Sequence, residues 1–253
     1  MPNYPIVNAG LLYVNGLGIS KTAAKVVTMQ LGASRDSTNT NDIILGPTAS
    51  QPVLSPVAIN GAFVGANGVD VAVLADSSFY AVYVIGDSTD YQTPAGLLSL
   101  NATTPALPFG YDMYRRVGWV LTDSSADILQ FWQFGSGSGR IYYYDVGISA
   151  LSAGTSTTYA AINLSTSVPP IATQVIFKVD YTANSATDIA SFLPYGSTAT
   201  NGIVVFGYGA AAAQQGMATV PCELDAGVPT IQYKVTSGSD SLTLLTAGFN
   251  DYL

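Results

Sequence analysis

Residues 127–146 read DILQFWQFGSGSGRIYYYDV, and the fold class follows from this stretch. Two apolar runs, Asp127–Phe134 and Arg140–Val146, flank the glycine- and serine-rich residues Gly135–Gly139. A short glycine-rich connector between runs of aromatic and β-branched residues predicts a β-hairpin. The sequence shows no sustained 3.6-residue periodicity here or elsewhere, which argues against a helical bundle.

Turn residues punctuate the rest of the chain in the same way. The 25 glycines and 13 prolines, together with Ser and Thr, recur at intervals of roughly 8–12 residues, the spacing typical of a β-sandwich or barrel. The sequence predicts one short helix, Thr187–Phe192, with Ser185 or Thr187 as its N-cap. The predicted fold is all-β: two antiparallel, jelly-roll-like β-sandwich domains with little helix. We predict strands at Leu11–Val14, Lys25–Gln30, Val69–Leu74, Phe79–Ile85, Arg115–Leu121, Asp127–Phe134, Arg140–Val146, Tyr159–Leu164, Gln174–Tyr181, Ile203–Tyr208, Thr230–Thr236 and Ser241–Leu245.

The predicted strands are of two kinds. Gln174–Tyr181 and Thr230–Thr236 alternate apolar and polar residues, which is typical of strands with one face in the core and one in water. Phe79–Ile85 is apolar on both faces, and Asp127–Phe134 is similar. Strands of this second kind lie either in the middle of a core or at a subunit interface, and the sequence leaves both possibilities open.

A domain boundary is predicted just after the hairpin. Residues 147–157, GISALSAGTST, are small and lack a bulky apolar run, which is typical of a linker. We therefore expect one β domain over residues 1–146 and a second over residues 147–253, each of ordinary domain size. Both carry a net charge of −4, so charge does not distinguish them.

The composition excludes several classes of protein. Charged residues make up 9% of the chain, against about 25% in an average soluble domain. The 8 basic and 16 acidic residues offer no basic patch, so we expect no nucleic-acid partner. The absence of histidine excludes His-dependent triads and His metal sites. The single cysteine, Cys222, excludes an intrachain disulfide.

Targeting signals and membrane segments are also absent from the sequence pattern. No basic region precedes the first apolar stretch, so we expect no secretory signal. The longest dense apolar run, Phe79–Ile85, is far shorter than the ~18 residues of a spanning helix, so we expect no membrane insertion. A monomer of 26.2 kDa should expose on the order of 10,600 Å², or roughly 440 Å² per charged side chain. Such a sparse charge indicates a surface that other proteins cover.

Two short motifs resemble catalytic or cofactor sites but have simpler explanations. Ile85–Ser88 ends in Gly-Asp-Ser, like the nucleophile block of SGNH-type esterases, whose serine needs a histidine base. The interpretation we favour is a polar turn after a strand. Gly207–Ala212 matches a degenerate dinucleotide fingerprint, yet the alanine run meets Gly216 and Pro221 instead of continuing as a helix. We interpret it as a loop between strands.

Acidic residues suggest two further sites. Asp36–Asp42 clusters oxygen ligands suited to a hard cation, but an Asn/Asp/Thr turn is the favoured interpretation, with an adventitious cation as the alternative. Paired carboxylates such as Asp112 and Asp145 would be needed for a His-free polysaccharide depolymerase. Most of the acidic residues lie singly in turn-like contexts, so we expect no enzyme activity, no cofactor and no metal site.

The three tyrosines Tyr142, Tyr143 and Tyr144 are candidate contact residues. Alternation along a strand places Tyr142 and Tyr144 on one face and Tyr143 on the other. Exposed aromatic rings stack on sugars and anchor protein partners. The alternative, which we favour, is that they fill a sandwich core or line a subunit contact.

One series of motifs carries a family resemblance. It runs through Arg35–Asp42 (RDSTNTND), Val64–Asp70 (VGANGVD), Ser78–Asp87 (SFYAVYVIGD) and Thr104–Ser125 (TPALPFGYDMYRRVGWVLTDSS). In this order the motifs resemble a module common in tail-fibre and other appendage proteins of tailed bacteriophages. The resemblance covers residues 10–140 or so. The residues that carry its last segment are Pro108, Gly110, Tyr111, Arg115, Arg116, Gly118 and Asp123.

The resemblance implies a structural role in a virion. Pro105, Pro108 and Gly110 would bend the chain into the strand Arg115–Leu121, on which Arg115 and Arg116 point to opposite faces. At least one of these two arginines should then meet an acid or lie at the surface, and Asp123–Ser125 should form the next turn.

The expected protein is a homo-oligomeric tail fibre, or a head or tail decoration protein, made in the host cytoplasm and located in the virion. Its expected partners are copies of itself, with a trimer favoured, other virion proteins and a host surface glycan. Because the module begins almost at Met1, a self-contained decoration protein fits better than a long fibre. A carbohydrate-binding module is the alternative function, ahead of the depolymerase.

Overall fold

The all-β prediction is confirmed by a computed structural model, which describes residues 13–47, 55–89, 92–135, 137–200, 202–207, 209, 211 and 213–253. The described residues form twenty strands in five sheets and contain no helix. Nearly all strand pairs are antiparallel, as in a β-sandwich; the pair β7–β9 is parallel. No helix long and apolar enough to cross a membrane occurs within these ranges.

Three sheets come from the first half of the chain. One small sheet contains β1 (Val14–Gly16), β4 (Gly32–Arg35) and β5 (Asp42–Leu45), and another contains β2 (Ile19–Ala23), β3 (Val26–Met29) and β6 (Val57–Asn60). The third has the order β10 (Met113–Leu121), β8 (Phe79–Gly86), β9 (Ala95–Ser99) and β7 (Gly68–Val69).

Two larger sheets follow. The first, here called the β12–β20 sheet, has the order β11 (Phe131–Phe134), β12 (Gly139–Gly154), β20 (Ser241–Tyr252), β14 (Gln174–Thr182) and β17 (Ala213–Pro221). The second has the order β13 (Ala160–Asn163), β19 (Val228–Val235), β15 (Ile189–Pro194) and β16 (Ile203–Phe206), with β18 (Glu223–Asp225) also paired to β19.

Strand β8 lies in the middle of the core. It pairs with β10 on one side and β9 on the other, and every residue from Tyr80 to Gly86 is buried. Its run FYAVYVI has no charged or amide side chain to leave in water, so burial on both faces is the stable arrangement. The structure thus places this strand in the core and not at a surface available to another subunit.

The predicted linker is mostly strand. Strand β12 continues without a break past Val146 to Gly154, and β20 pairs with it both before and after that point, from Gly139 to Gly154. The pairing with β20 is irregular in this stretch: bulges between residues 143 and 148 and between residues 149 and 154 shift the register. The division into residues 1–146 and 147–253 stays a prediction.

The predicted helix Thr187–Phe192 is wrong. Residues from Ile189 to Pro194 form strand β15, between β16 and β19. Ser185 does not cap a helix but makes a turn, in which its backbone N–H donates to the Asp188 carboxylate at 2.9 Å. Six residues give a marginal helix in isolation, whereas a central strand position buries Ala190 and Phe192.

Several predicted strands differ in extent from those of the structure, and Ser241–Leu245, for example, extends to Tyr252. Val69–Leu74 is a strand only at Gly68–Val69, and Asp127–Phe134 only from Phe131. The first part of Leu11–Val14 lies outside the described residues. In the second segment, the backbone N–H of Asp127 donates to the Asp123 carboxylate in a turn; in the first, the Asp70 carboxylate accepts a hydrogen bond from the Ser99 hydroxyl.

Candidate functional site

The tyrosines of β12 divide between core and surface. The Tyr142 ring stacks on Phe249 with centroids 4.5 Å apart, and its hydroxyl accepts a hydrogen bond from Gln133 Nε2 at 2.6 Å. The Tyr144 hydroxyl donates to the Ser167 carbonyl at 3.0 Å. Burial raises the pKa of both phenols. Tyr142 and Tyr144 therefore pack in or against the core, and Tyr143 points outward.

Tyr143 is part of a larger exposed apolar surface. In the hairpin, Trp132 lies directly opposite Tyr143, and Phe134 directly opposite Ile141. The exposed fractions are 46% for Trp132, 54% for Phe134, 39% for Ile141 and 36% for Tyr143. The Phe134 and Tyr143 rings meet edge to face, with centroids 6.0 Å apart. These four residues, here called the aromatic face, cover the outer side of β11 and the first part of β12.

The border of the aromatic face is flat and carries little charge. On the neighbouring strand β20, Gly248 lies opposite Tyr143 and Asn250 opposite Ile141. A Cβ atom at Gly248 would collide with the Tyr142 carbonyl oxygen, so this position requires glycine and leaves the surface level. Asp145 is exposed on β12 at the far end. Clustered exposed apolar side chains with a polar rim mark an interaction site.

The hairpin that carries the aromatic face is held firmly from beneath. Gln133 Oε1 accepts a hydrogen bond from the backbone N–H of Ile19 at 2.9 Å, and Gln133 Nε2 donates to the Val117 carbonyl at 3.3 Å. Arg140, 1% exposed, donates to the carbonyl oxygens of Gly135 and Gly16. A surface fixed in this way loses little side-chain and backbone entropy when a partner binds.

The motif residues 108–111 form the predicted bend before β10. The backbone N–H of Tyr111 donates to the Pro108 carbonyl at 3.1 Å, and Gly110 has φ 87°. These are features of a type II turn, which needs a residue with positive φ at its third position. The Tyr111 hydroxyl donates to the Thr93 carbonyl at 3.0 Å.

The paired arginines point to opposite sides of β10, as predicted. Arg116 forms an ion pair with the fully buried Asp251 of β20, and Arg116 Nη2 also donates to the Tyr252 carbonyl at 3.1 Å. Arg115 is 9% exposed on the other side. Gly118 follows a bulge, and a Cβ atom there would lie 2.5 Å from the Tyr142 hydroxyl. Arg116 and Gly118 thus position strands.

Asp123 forms the predicted turn. Its carboxylate accepts hydrogen bonds from the backbone N–H groups of Asp127 and Ser125, at 3.0 and 2.7 Å. These bonds hold the pKa of Asp123 below its usual value. A local turn of this kind is what Asp provides at strand ends.

The other candidate sites also form turns. Asp87 accepts hydrogen bonds from the N–H and hydroxyl of Thr89 at 2.9 and 2.6 Å. Burial would raise the pKa of Asp36, but hydrogen bonds from Thr38, Thr40 and Asn41 outweigh it and hold the pKa low. Gly207 lies in a connection that leads into strand β17, although residues 208, 210 and 212 fall outside the described part of the chain.

The acidic and thiol groups do not converge. Asp112 accepts two hydrogen bonds from Ser88, while Asp145 lies at the rim of the aromatic face. In the described ranges, no three His, Cys, Asp or Glu side chains are placed to hold a metal ion. Burial raises the pKa of the Cys222 thiol to about 12, so it is protonated at neutral pH.

Comparison with known proteins identifies no relative. No protein-family model matches the chain. No curated protein matches it, and no solved structure matches it.

Sequence reasoning missed Trp132, Phe134 and Ile141 as surface residues. The signal was present, because alternation on both arms of a hairpin places Trp132 and Phe134 on the side of Tyr143. The sequence does not show which face of the β11–β12 hairpin packs against the rest of the protein. The large buried residues Phe131, Tyr142 and Phe249 occupy the opposite face and decide this.

Proposed function

We propose that this chain is a structural protein of a bacteriophage particle, and that the aromatic face is the centre of its contact with copies of itself. The observation that carries the proposal is the aromatic face: four large side chains, exposed together on a rigid hairpin. The motif series from Arg35 to Ser125, which resembles phage appendage proteins, supports the virion location. A trimer is the expected assembly.

The area of the aromatic face fits the centre of an interface. A large aromatic side chain buries about 150–250 Å², so four half-exposed side chains supply roughly 300–400 Å². A stable interface needs about 800 Å² from each partner. The aromatic face therefore provides the hot spot, and the surrounding polar residues provide the rim that excludes water.

The surface charge favours association with copies of the same chain. The 24 charged side chains share 12001 Å² of exposed surface, about 500 Å² each. Among the residues of the aromatic face and its border, only Asp145 is charged, so two copies can approach with little charge repulsion or desolvation.

A carbohydrate-binding module is the second candidate, because Trp132 and Tyr143 lie side by side and could stack on sugar rings. Of the three tyrosines first considered for this role, only Tyr143 is on the surface. A glycan array probed with wild type and with Tyr143→Ala separates the two functions. Binding that this change abolishes supports the module, and a blank array removes it.

The proposed self-contact is tested by the double change Trp132→Ser and Tyr143→Ser. We expect the wild-type chain to form a trimer by sedimentation velocity, and the double variant to dissociate at least about tenfold more readily, since two hot-spot side chains each contribute about 1–2 kcal/mol. Met217→Ser is the matched control, because Met217 is exposed on the far edge strand of the same sheet.

A wild-type chain that remains monomeric, or a double variant that assembles unchanged, would contradict the proposed self-contact. The virion location has a separate test: immunogold labelling or electron cryomicroscopy of intact particles from the source phage. Labelled particles support it, and particles without the protein overturn it.

A further inference from the structure

Among the residues that the structure describes, the most exposed aromatic side chain lies outside the aromatic face. Phe109 is 100% exposed, at the second position of the turn Pro108–Tyr111. The turn is anchored on both sides: Leu107 packs against the core, and the Tyr111 hydroxyl bonds to the Thr93 carbonyl. Phe109 is therefore held in water on an anchored turn, although burial of its ring would be favourable.

An apolar cleft lies beside this turn. It has a volume of about 380 Å³ and is formed by two segments, residues 69–75 and 99–106. Val71, Val73 and Leu100 form its walls and are each more than half exposed. We call it the valine cleft, and its defining residues are Val69, Val71, Val73, Tyr80, Leu100 and Ala106.

The polar groups of the valine cleft are engaged in holding its walls. The Asp70 carboxylate accepts hydrogen bonds from the Ser99 hydroxyl at 2.6 Å and from the Ala106 N–H at 3.1 Å. The Tyr80 hydroxyl accepts one from the Ala75 N–H at 2.8 Å. The cleft is thus preformed, and what it offers a partner is mainly apolar surface, which favours an apolar side chain as its occupant.

The valine cleft can hold a phenyl ring. An apolar cavity of about 150 Å³ binds benzene, so about 380 Å³ leaves room for a ring and part of the turn that carries it. The one charged group that lines the cleft, Asp70, is already hydrogen-bonded to Ser99 and Ala106, and no charged side chain occurs from residue 91 to residue 111. This uncharged stretch includes both Phe109 and one wall of the cleft.

Phe109 lies close in sequence to the valine cleft. Ala106 lines the cleft, and three residues of extended chain span at most about 11 Å. A projecting group next to a complementary cleft satisfies the requirement of a two-fold contact, in which each copy gives and receives the same group.

We propose that two copies of the chain associate about a two-fold axis, with Phe109 of each copy inserted into the valine cleft of the other. This contact is separate from the aromatic face and does not rest on the virion role. Two inserted rings and their clefts bury less than the ~1,200 Å² of a standard interface, so the contact is a weak one. Together with a trimer, it produces a hexamer at high concentration.

The test uses the full chain carrying Trp132→Ser and Tyr143→Ser, so that the two contacts are measured separately. In this background we expect a monomer–dimer equilibrium by sedimentation velocity up to about 200 µM. Phe109→Ser removes the inserted ring, and Ala72→Trp fills the cleft from its wall. Each should weaken dimerisation at least about tenfold. Phe206→Ser, an exposed phenylalanine of β16, is the matched control and should have no effect.

Mixing the two variants gives the decisive result. A pair of Phe109→Ser and Ala72→Trp chains keeps one complete contact. The Ala72→Trp chain still carries Phe109, and the Phe109→Ser chain still has an open cleft to receive it. The mixture should therefore form heterodimers that neither variant forms as a homodimer. No dimer in the background chain, a dimer indifferent to both changes, or a mixture that stays monomeric would overturn the proposal. An unchanged thermal melt shows that the variants are folded.

Discussion

At the scale of single residues, buried Asp side chains organise the turns between strands. The Asp240 carboxylate, 1% exposed, accepts hydrogen bonds from the N–H groups of Asn184 and Ser237 and from the Tyr181 hydroxyl, at 2.8–2.9 Å. Burial alone would raise the pKa of Asp240, but these bonds outweigh it and hold the pKa below its usual value. The Asp240 carboxylate thus joins the loop that follows β14 to the loop between β19 and β20.

Asp240→Asn should lower the free energy of unfolding by about 1–3 kcal/mol at neutral pH, because the amide cannot satisfy all three donors. Since the pKa of Asp240 is lower in the folded state, its stabilisation is complete above about pH 4 and is lost as the pH falls through the folded-state pKa. The difference from wild type should therefore shrink at acidic pH. Urea unfolding at several pH values measures this.

Asp76→Asn is the control for the pH series, since Asp76 is exposed and its replacement should change stability by less than about 0.5 kcal/mol. An Asp240→Asn chain as stable as wild type at neutral pH would contradict the role given to this carboxylate.

At the scale of strands, β10 and β20 are joined by one buried ion pair. Arg116 of β10 contacts Asp251 of β20, and its guanidinium also lies 5.2 Å from the centre of the Trp119 ring. Burial raises the pKa of Asp251, although Arg116 opposes this effect. The attraction between Arg116 and Asp251 thus offsets the cost of removing both charges from water.

Arg116→Met should destabilise the chain by about 3–5 kcal/mol at neutral pH, because it leaves the buried Asp251 without a partner. Chemical unfolding monitored by tryptophan fluorescence measures the change, since Trp119 lies beside the pair. Arg35→Met is the matched control: its ion pair with Asp42 is partly exposed, and its loss should cost at most about 1 kcal/mol. If Arg116→Met and Arg35→Met lowered the free energy of unfolding equally, the role given to Arg116 would be contradicted, because other groups would then stabilise the buried Asp251 carboxylate.

At the scale of the whole molecule, the β12–β20 sheet draws on both predicted domains. Strands β11 and the first part of β12 come from residues before 147, and β20 comes from the end of the chain. The stacked rings of Tyr142 and Phe249 lie across the same junction. Separating the chain after Val146 would divide this sheet and expose its core.

We therefore expect the full chain to unfold in a single calorimetric transition, and the fragments 1–146 and 147–253 to be unfolded or aggregated when made separately. Differential scanning calorimetry of the chain and circular dichroism of the fragments check this. The matched control is the two fragments produced together, which should recover the strand signal by reassembly. Two transitions reproduced by two folded fragments would instead support the predicted boundary.

The sequence by itself determined the strand character of the chain and the side of several strands that is buried. Val175, Phe177, Val179 and Tyr181 are all buried, as alternation along the strand predicted, because a period of two residues is a local property. Local turn chemistry likewise placed the Pro108–Tyr111 bend and the Asp123 turn. Strands β4 and β17 escaped prediction, since their many small or polar residues acquire strand structure by pairing with neighbours.

Only the tertiary structure decided which apolar residues remain in water. Tyr142 and Tyr143 are identical in chemistry and adjacent in sequence, yet one stacks in the core and the other joins the aromatic face. The difference arises because β20 brings Phe249 against one side of β12 and leaves glycine and asparagine on the other. Likewise, Phe109 and Phe131 are both phenylalanines within apolar motifs, but packing buries only Phe131. Burial depends on residues distant in sequence, so it is fixed when the sheets pack and not before.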